Sequence, residues 1–176
     1  MHYREVTTDR QFLARLDTGA DWREEIEALA DEAGIDAGWF VGMGAVSDAE
    51  LWYYDQGEGK YHSIHLDEPL EVAACVGNVS WMAGSGGLSG DGDGDGDSAV
   101  ESDDGSSAEK DDESPAESDD GERFAHTHAV LSRRSGQTLA GHLNAGTVFA
   151  GELYLVAFEE PLEREYHEET DLDLWL

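Results

Sequence analysis

Forty consecutive residues, 84–123, cannot contribute to a core. They hold 15 acidic and 2 basic residues in a Gly, Ser, Asp and Glu background, with apolar residues nearly absent. Such a composition cannot bury enough surface to offset the entropy lost on ordering, so the segment reads as a disordered, solvated insertion. The constraint on the rest is severe. Residues 1–83 and 124–176 must build one domain together, with the insertion entering at a surface loop between two strands. The alternation Asp91-Gly92-Asp93-Gly94-Asp95-Gly96-Asp97 opens like a calcium loop, but the twelfth position is Ser102 and no helices flank it. A low-complexity tract is the simpler reading.

The other 136 residues still carry 26 acidic against 8 basic side chains. At that density self-repulsion opposes a compact state in dilute buffer, whereas at molar salt the screening length falls to about 3 Å. The composition predicts a halophilic protein. The single cysteine, Cys75, excludes an intrachain disulfide and reads as a small buried hydrophobe. The opening MHYREVTTDR lacks the apolar core of a secretion signal, and no apolar run reaches the length of a membrane span. The expectation is a soluble, cytoplasmic protein without membrane contact.

Periodicity places one helix among strands. Residues 12–16 form an early strand ending at Asp17-Thr18-Gly19. Asp21 can cap a helix, with Glu24 at the capping-box spacing. Trp22, Ile26, Leu29, Ala30 and Ala33 give it one apolar face, and Gly34 a C-terminal stop. Glu27, Asp31 and Glu32 read as its solvated side. Strands follow at 37–46, where Gly42 and Gly44 predict a bulge or close backbone approach, then at 49–54 and 61–66 as a hairpin. In strand 70–79, alternation sets Leu70, Val72, Ala74 and Val76 on one face and Glu71, Ala73, Cys75 and Gly77 on the other. Strands 124–132 and 137–143 flank a turn at Arg133–Gly136. Strand 147–158 has Val148, Ala150, Glu152, Tyr154, Val156 and Phe158 on one face, opposed by Phe149, Leu153 and Leu155, and is central because both faces are largely apolar. The apolar end, Leu172, Leu174, Trp175 and Leu176, should dock on the core or on a neighbouring subunit.

Three of the seven histidines fall in the 124–143 hairpin. His126 and His128, two apart on a strand, face the same way. His142 joins them only in a register that sets residue 128 opposite 142, because a one-residue slip turns it to the other face. Three neutral imidazoles suit a borderline divalent ion, most often zinc, with a fourth position open. The alternative is a polar strand edge with histidines bonded to backbone or carboxylates. Glu71, among small residues, needs a partner, and Glu71 and Glu152 are the candidate bases if the site is catalytic. His62 and His65, three apart, read as surface or loop-edge residues.

These motifs resemble the plants-and-prokaryotes-conserved (PPC) domain family. The features are the amphipathic helix after the first strand, Gly42-Met43-Gly44-Ala45-Val46, Pro69-Leu70-Glu71 with Gly77, His126-x-His128 with Gly141-His142-Leu143 and Gly146, the Arg164 region, and Glu169-Thr170-Asp171-Leu172. The resemblance covers nearly the whole chain outside 84–123. It implies an α/β (α+β) domain, a largely antiparallel sheet packed with one main helix, assembled as a homotrimer. In plants the domain accompanies AT-hook motifs and mediates oligomer and partner contacts in nuclear regulators. Prokaryotic members are usually the bare domain, often labelled DNA-binding by analogy, and some carry a metal at the histidines. This sequence has Ala140 where the family's Gly-Gly-His-Leu has its first glycine, and it contains no Arg-Gly-Arg-Pro stretch.

The leading expectation is therefore a homotrimeric regulatory or interaction module with a three-histidine metal site. Ten basic residues in all, with Arg133-Arg134 the only basic pair in the domain, do not supply the face that phosphate contact needs. Any DNA role is expected to run through a basic or DNA-bound protein partner. A metal-dependent enzyme or a small-ligand sensor using the same pocket ranks second, since nothing in the sequence names a substrate.

Overall fold

The computed structural model describes residues 1–82 and 123–175. The expected disorder and the calcium-like run of 84–123 lie outside the described residues, except for Arg123. The elements run β1 (Thr8–Leu16), α1 (Trp22–Ala33), β2 (Gly38–Asp55), β3 (Lys60–Leu66), β4 (Leu70–Met82), β5 (Arg123–Ser132), β6 (Thr138–Phe158), β7 (Glu163–His167) and β8 (Leu172–Trp175). A single, mostly antiparallel sheet of eight strands has one helix packed on it, in the order β3-β2-β6-β5-β4-β7-β8 with β1 on β6. The strand β2 also pairs with β4, so β2, β6, β5 and β4 form a closed ring of pairings. Closure removes free edges from the middle of the sheet.

The helix forms where expected. Asp21 Oδ1 accepts from the amides of Arg23 (2.9 Å) and Glu24 (3.1 Å), and Gly34 closes the C-terminus in the left-handed conformation. Trp22, Ile26 and Ala30 are fully buried against the sheet. The same Asp21 carboxylate accepts from Gly146 N (2.8 Å) through Oδ2, tying the helix start to β6. The helix's acidic side departs from expectation. Glu27 accepts from Ala125 N (3.0 Å), and Asp31 pairs with Arg123. Arg123 also donates to Ile35 O (2.9 Å) and Asp36 (3.1 Å) and lies over the Trp81 ring. These acids therefore clamp the helix to β5, and Arg123 belongs to the fold.

Four expectations about strands change. Residues 137–143 and 147–158 are not two strands but one, β6. The other three change for one reason. Residues 37–46 and 49–54 are not two strands but one 18-residue strand, β2, bent by register shifts at Gly42/Gly44 and around Val46–Ala49. Gly44 makes the bend possible, since a Cβ there would overlap the Ala150 carbonyl. In β4 a shift between Val72 and Ala74 reverses the alternation. Leu70 and Val72 point inward, and so do Cys75, Gly77 and Val79, while Val76 turns out. In β6 a shift at Val148/Ala150 does the same, so Val148 joins Leu153 and Leu155 inside. An extra residue inverts every side chain beyond it. The centrality of 147–158 stands, because that stretch pairs with β1 on one side and β2 on the other.

The tail through Trp175 docks on the sheet as expected, while Leu176 lies outside the described residues. The parallel pairing of β7 with β4 starts at Trp81↔Glu163, and β8 folds back on β7. Trp175 packs on Phe158 with ring centroids 6.3 Å apart.

Candidate metal centre

The hairpin register is the one that collects the histidines. His128 pairs with His142, and the ladder continues through Ala129↔Gly141 to Ser132↔Thr138. The turn is closed by Arg133 N to Gln137 O (2.9 Å), with Gly136 at φ 83°. Beyond His142, β6 leaves β5 and pairs with β2, placing His142 opposite Trp52 as well. Thr127, fully buried, holds the fork by donating its hydroxyl to Leu143 O (2.5 Å). The histidines thus sit on the outer face of the sheet where two strands splay apart.

There His126 Nε2 and His128 Nε2 are 3.2 Å apart, and one ring nitrogen from each of the three histidines lies within 4.8 Å of the others. Two imidazole nitrogens on one tetrahedral ion, each roughly 2.05 Å from it, are separated by about 3.3 Å. The observed spacing fits that geometry. His142 Nδ1 is buried with no hydrogen-bond partner, a state costing about 1–3 kcal/mol unless a cation or other partner relieves it. The residues present therefore fit a divalent ion.

Electrostatics agree. Burial, reinforced by Arg164 and the other two rings, pushes the His126 pKa down to about 3. Burial, then His128, Arg23 and Arg164, pushes His142 to about 4. His128, more exposed, is lowered by burial alone. All three are held in the neutral form that a metal requires.

Aromatic rings wall the site. Phe124 stacks on His126 (6.3 Å), and Trp52 and Tyr61 approach His142 at 6.1 and 6.3 Å. Trp52 is anchored by its Nε1 donating to Glu50 Oε1 (2.9 Å), while Asn144 donates to Glu50 Oε2 (3.0 Å). Arg164, 4% exposed, lies over Phe124 and Trp175 and bonds to Asn78, the cross-strand neighbour of His126.

The three histidines and the Arg164 region are legible in the sequence, but Trp52, Tyr61, Glu50 and Arg23 are not. Their one local signal is the strand alternation that puts Glu50 and Trp52 on one face. The two carboxylates named as candidate bases are not brought to the cluster. Glu71 is exposed and pairs with Ser132, four residues along β5 from His128, about 13 Å. Glu152 is exposed beside Tyr154, which is separated from His128 across the sheet through Val41 and Val76, on the order of 15 Å. His62 and His65 are exposed near Glu58 and Glu50, as expected.

Solved structures share this fold. A crystal structure of a metal-containing protein from Archaeoglobus fulgidus is similar with a TM-score of 0.75 and 31% identity, covering 100% of this chain and 99% of that one. A plant- and prokaryote-conserved (PPC) protein from Pyrococcus horikoshii is similar at 0.74 and 23% identity, covering 100% and 97%. A candidate DNA-binding protein from Bacteroides thetaiotaomicron is similar at 0.69 and 18% identity, covering 97% and 96%. The last two, under 25% identity, bear on the fold alone. No curated protein matches the chain. A family model matches residues 3–92 and 111–159, reaching into the acidic tract from both sides. The chain belongs to the Plants and Prokaryotes Conserved (PCC) domain family.

Proposed function

We propose that this chain is a divalent-metal-binding module that assembles as a homotrimer and acts through protein partners. The observation that carries the metal reading is the convergence of His126, His128 and His142, all neutral, at the fork of β6, with the His126 and His128 nitrogens 3.2 Å apart and a His142 nitrogen within 4.8 Å of both. Zinc, or an ion of similar softness, suits three imidazoles with a fourth position open. The metal in the Archaeoglobus fulgidus relative supports the same reading. Metal analysis of protein purified without a histidine tag tests it. Close to one equivalent of metal per chain is expected, and lost in His142→Ala. Absence of metal, with no uptake of added zinc, would overturn it.

Assembly is supported by the outer face of the sheet. Leu13 (87%), Met43 (59%) and Val41 (43%) are exposed around a concavity of about 730 Å³. A contiguous apolar surface of this kind marks an interaction site, and the family points to a second and third copy of the chain. Val76, on the same face, is the cross-strand neighbour of His128, so a copy seated there borders the metal site. Light scattering in molar salt measures the assembly state.

A DNA-linked role through a basic partner is the regulatory part of the proposal. Arg10, Lys60, Arg123 and Arg133 are all engaged by carboxylates, which leaves little basic surface for phosphates. Tight sequence-specific binding in a high-salt gel shift would contradict this. Among the described residues the cluster contains no carboxylate to act as base, so the hydrolytic reading has no support from it.

A further inference from the structure

We propose that the three-histidine cluster takes a small oxyanion as a further ligand, with Arg164 as its recognition residue and Arg23 assisting. The inference rests on the metal reading above and names the ligand class of that site.

Arg164 is a buried cation without a counter-ion. It is 4% exposed, yet among the described residues no carboxylate lies within ion-pair distance of it. Its bonds go to neutral acceptors, Asp173 O (3.0 Å) and Asn78 Oδ1. Its Nε is buried and has no partner at all. The Asp173 carboxylate acts on it only at longer range. Burying a charge this way is costly unless something pairs with it, and arginine does not shed its proton. A structural arginine would be expected to find a carboxylate in a chain with 41 of them.

Arg23 is a partial parallel, half-buried and paired with a carboxylate, Glu27. It lies over the Phe124 ring at 5.7 Å, as Arg164 does at 5.6 Å, and its Nε is also buried and unpaired. Its one ion pair, with Glu27, is 3.9 Å long. Phe124 in turn stacks on His126. Both arginines are close enough to His142 for their charge to act on it.

A divalent ion on the histidines would bring the local charge to about +3, counting Arg164 and with Arg23 offset by Glu27, and among the described residues the cluster holds no carboxylate. Glu50 is occupied by Trp52, Asn144 and His65. The missing charge must come from a ligand. A guanidinium fork matches the paired oxygens of a carboxylate, a bicarbonate or a phosphate, and the open metal position takes an oxygen of the same group.

The test uses the full chain loaded with cobalt in molar sodium chloride. Acetate, bicarbonate and phosphate are titrated separately while the visible cobalt bands are followed. At least one should shift the bands saturably. Arg164→Met should weaken that ion by roughly 10- to 100-fold, the loss of a charged hydrogen bond, while metal content and circular dichroism stay at parent values. Arg164→Lys should recover part of the affinity. No band shift with any of the three, or equal affinity in Arg164→Met, overturns the proposal. If Arg164→Met does not fold, Arg23→Met decides on the same criterion. If cobalt does not load, the metal reading fails instead. The oxyanion site is then decided by calorimetric titration of phosphate into the metal-free chain, where absence of heat rejects it.

Discussion

Lowering the pH of the metal-free protein from 7 to 5 should destabilise it through two histidines. His126 and His142 have folded-state pKa values of about 3 and about 4, against 6.5 when solvated. Both are depressed, so in the window from about pH 6.5 down to 4 the unfolded chain binds more protons than the folded one. Stability is full above 6.5 and falls as the pH falls. At pH 5 each imidazole kept neutral costs about 2 kcal/mol relative to the unfolded chain, or about 4 kcal/mol for the pair. That is a large part of the 5–15 kcal/mol typical of a domain. Burial is the leading cause in both residues, so molar salt, which screens charges but does not rehydrate a buried ring, should leave the effect in place. The assay is urea unfolding followed by tryptophan fluorescence, in molar salt with a chelator, between pH 7.5 and 5. The carboxylates held below their usual range, Asp55 and Glu58 at the β2–β3 turn, act only at lower pH. His126→Gln with His142→Gln should flatten the profile. A parent protein as stable at pH 5 as at pH 7, or an equal slope in the double variant, would refute the reasoning.

Four further outcomes are expected. Gly77→Ala places a methyl group against the His126 carbonyl and the Phe40 ring, and should cost about 1–3 kcal/mol in urea unfolding and weaken metal uptake by moving β5 off β4. Asp21→Ala removes both the helix cap and the acceptor for Gly146 N, and should cost about 2 kcal/mol by the same measurement. Met43→Asp, on the exposed apolar face, should reduce the mass seen by light scattering to one chain while the circular dichroism spectrum is unchanged. Dilution from molar salt should unfold the chain progressively by circular dichroism, and full folding in dilute buffer would remove the halophilic reading.

The secondary structure was legible wherever local chemistry decides it. Asp21, the 3.6-residue apolar spacing and Gly34 determine a helix within their own span, and Gly136 marks the turn that orients the histidine hairpin. Legibility ended at the bulges. One extra residue at Ala73–Ala74 or Phe149–Ala150 reverses which face is buried, and nothing in an apolar run signals it, because the inserted residue is as apolar as its neighbours. Glu27 and Asp31 were misread for a related reason. A helix shows its outer face but not what approaches it, and Arg123 and the Ala125 amide come from the far end of the acidic tract and just past it.

The same division runs through the histidine cluster. The sequence by itself determined the donors: His126 and His128 share a face by the period of a strand, and the motifs around His142 identify the family. It also determined the charge that argues against direct DNA contact. Only the tertiary structure decided that His142 joins the pair, because the choice between registers depends on the Thr127 bond to Leu143 O and on β6 parting from β5 at that point. Only the fold brings Arg164 in from β7 and Arg23 in from α1, residues whose distance along the chain hides their shared neighbour Phe124. Alternation and capping act over a few residues and can be read locally. Charge compensation in a buried pocket is a sum over segments far apart in the chain, and exists only once they have met.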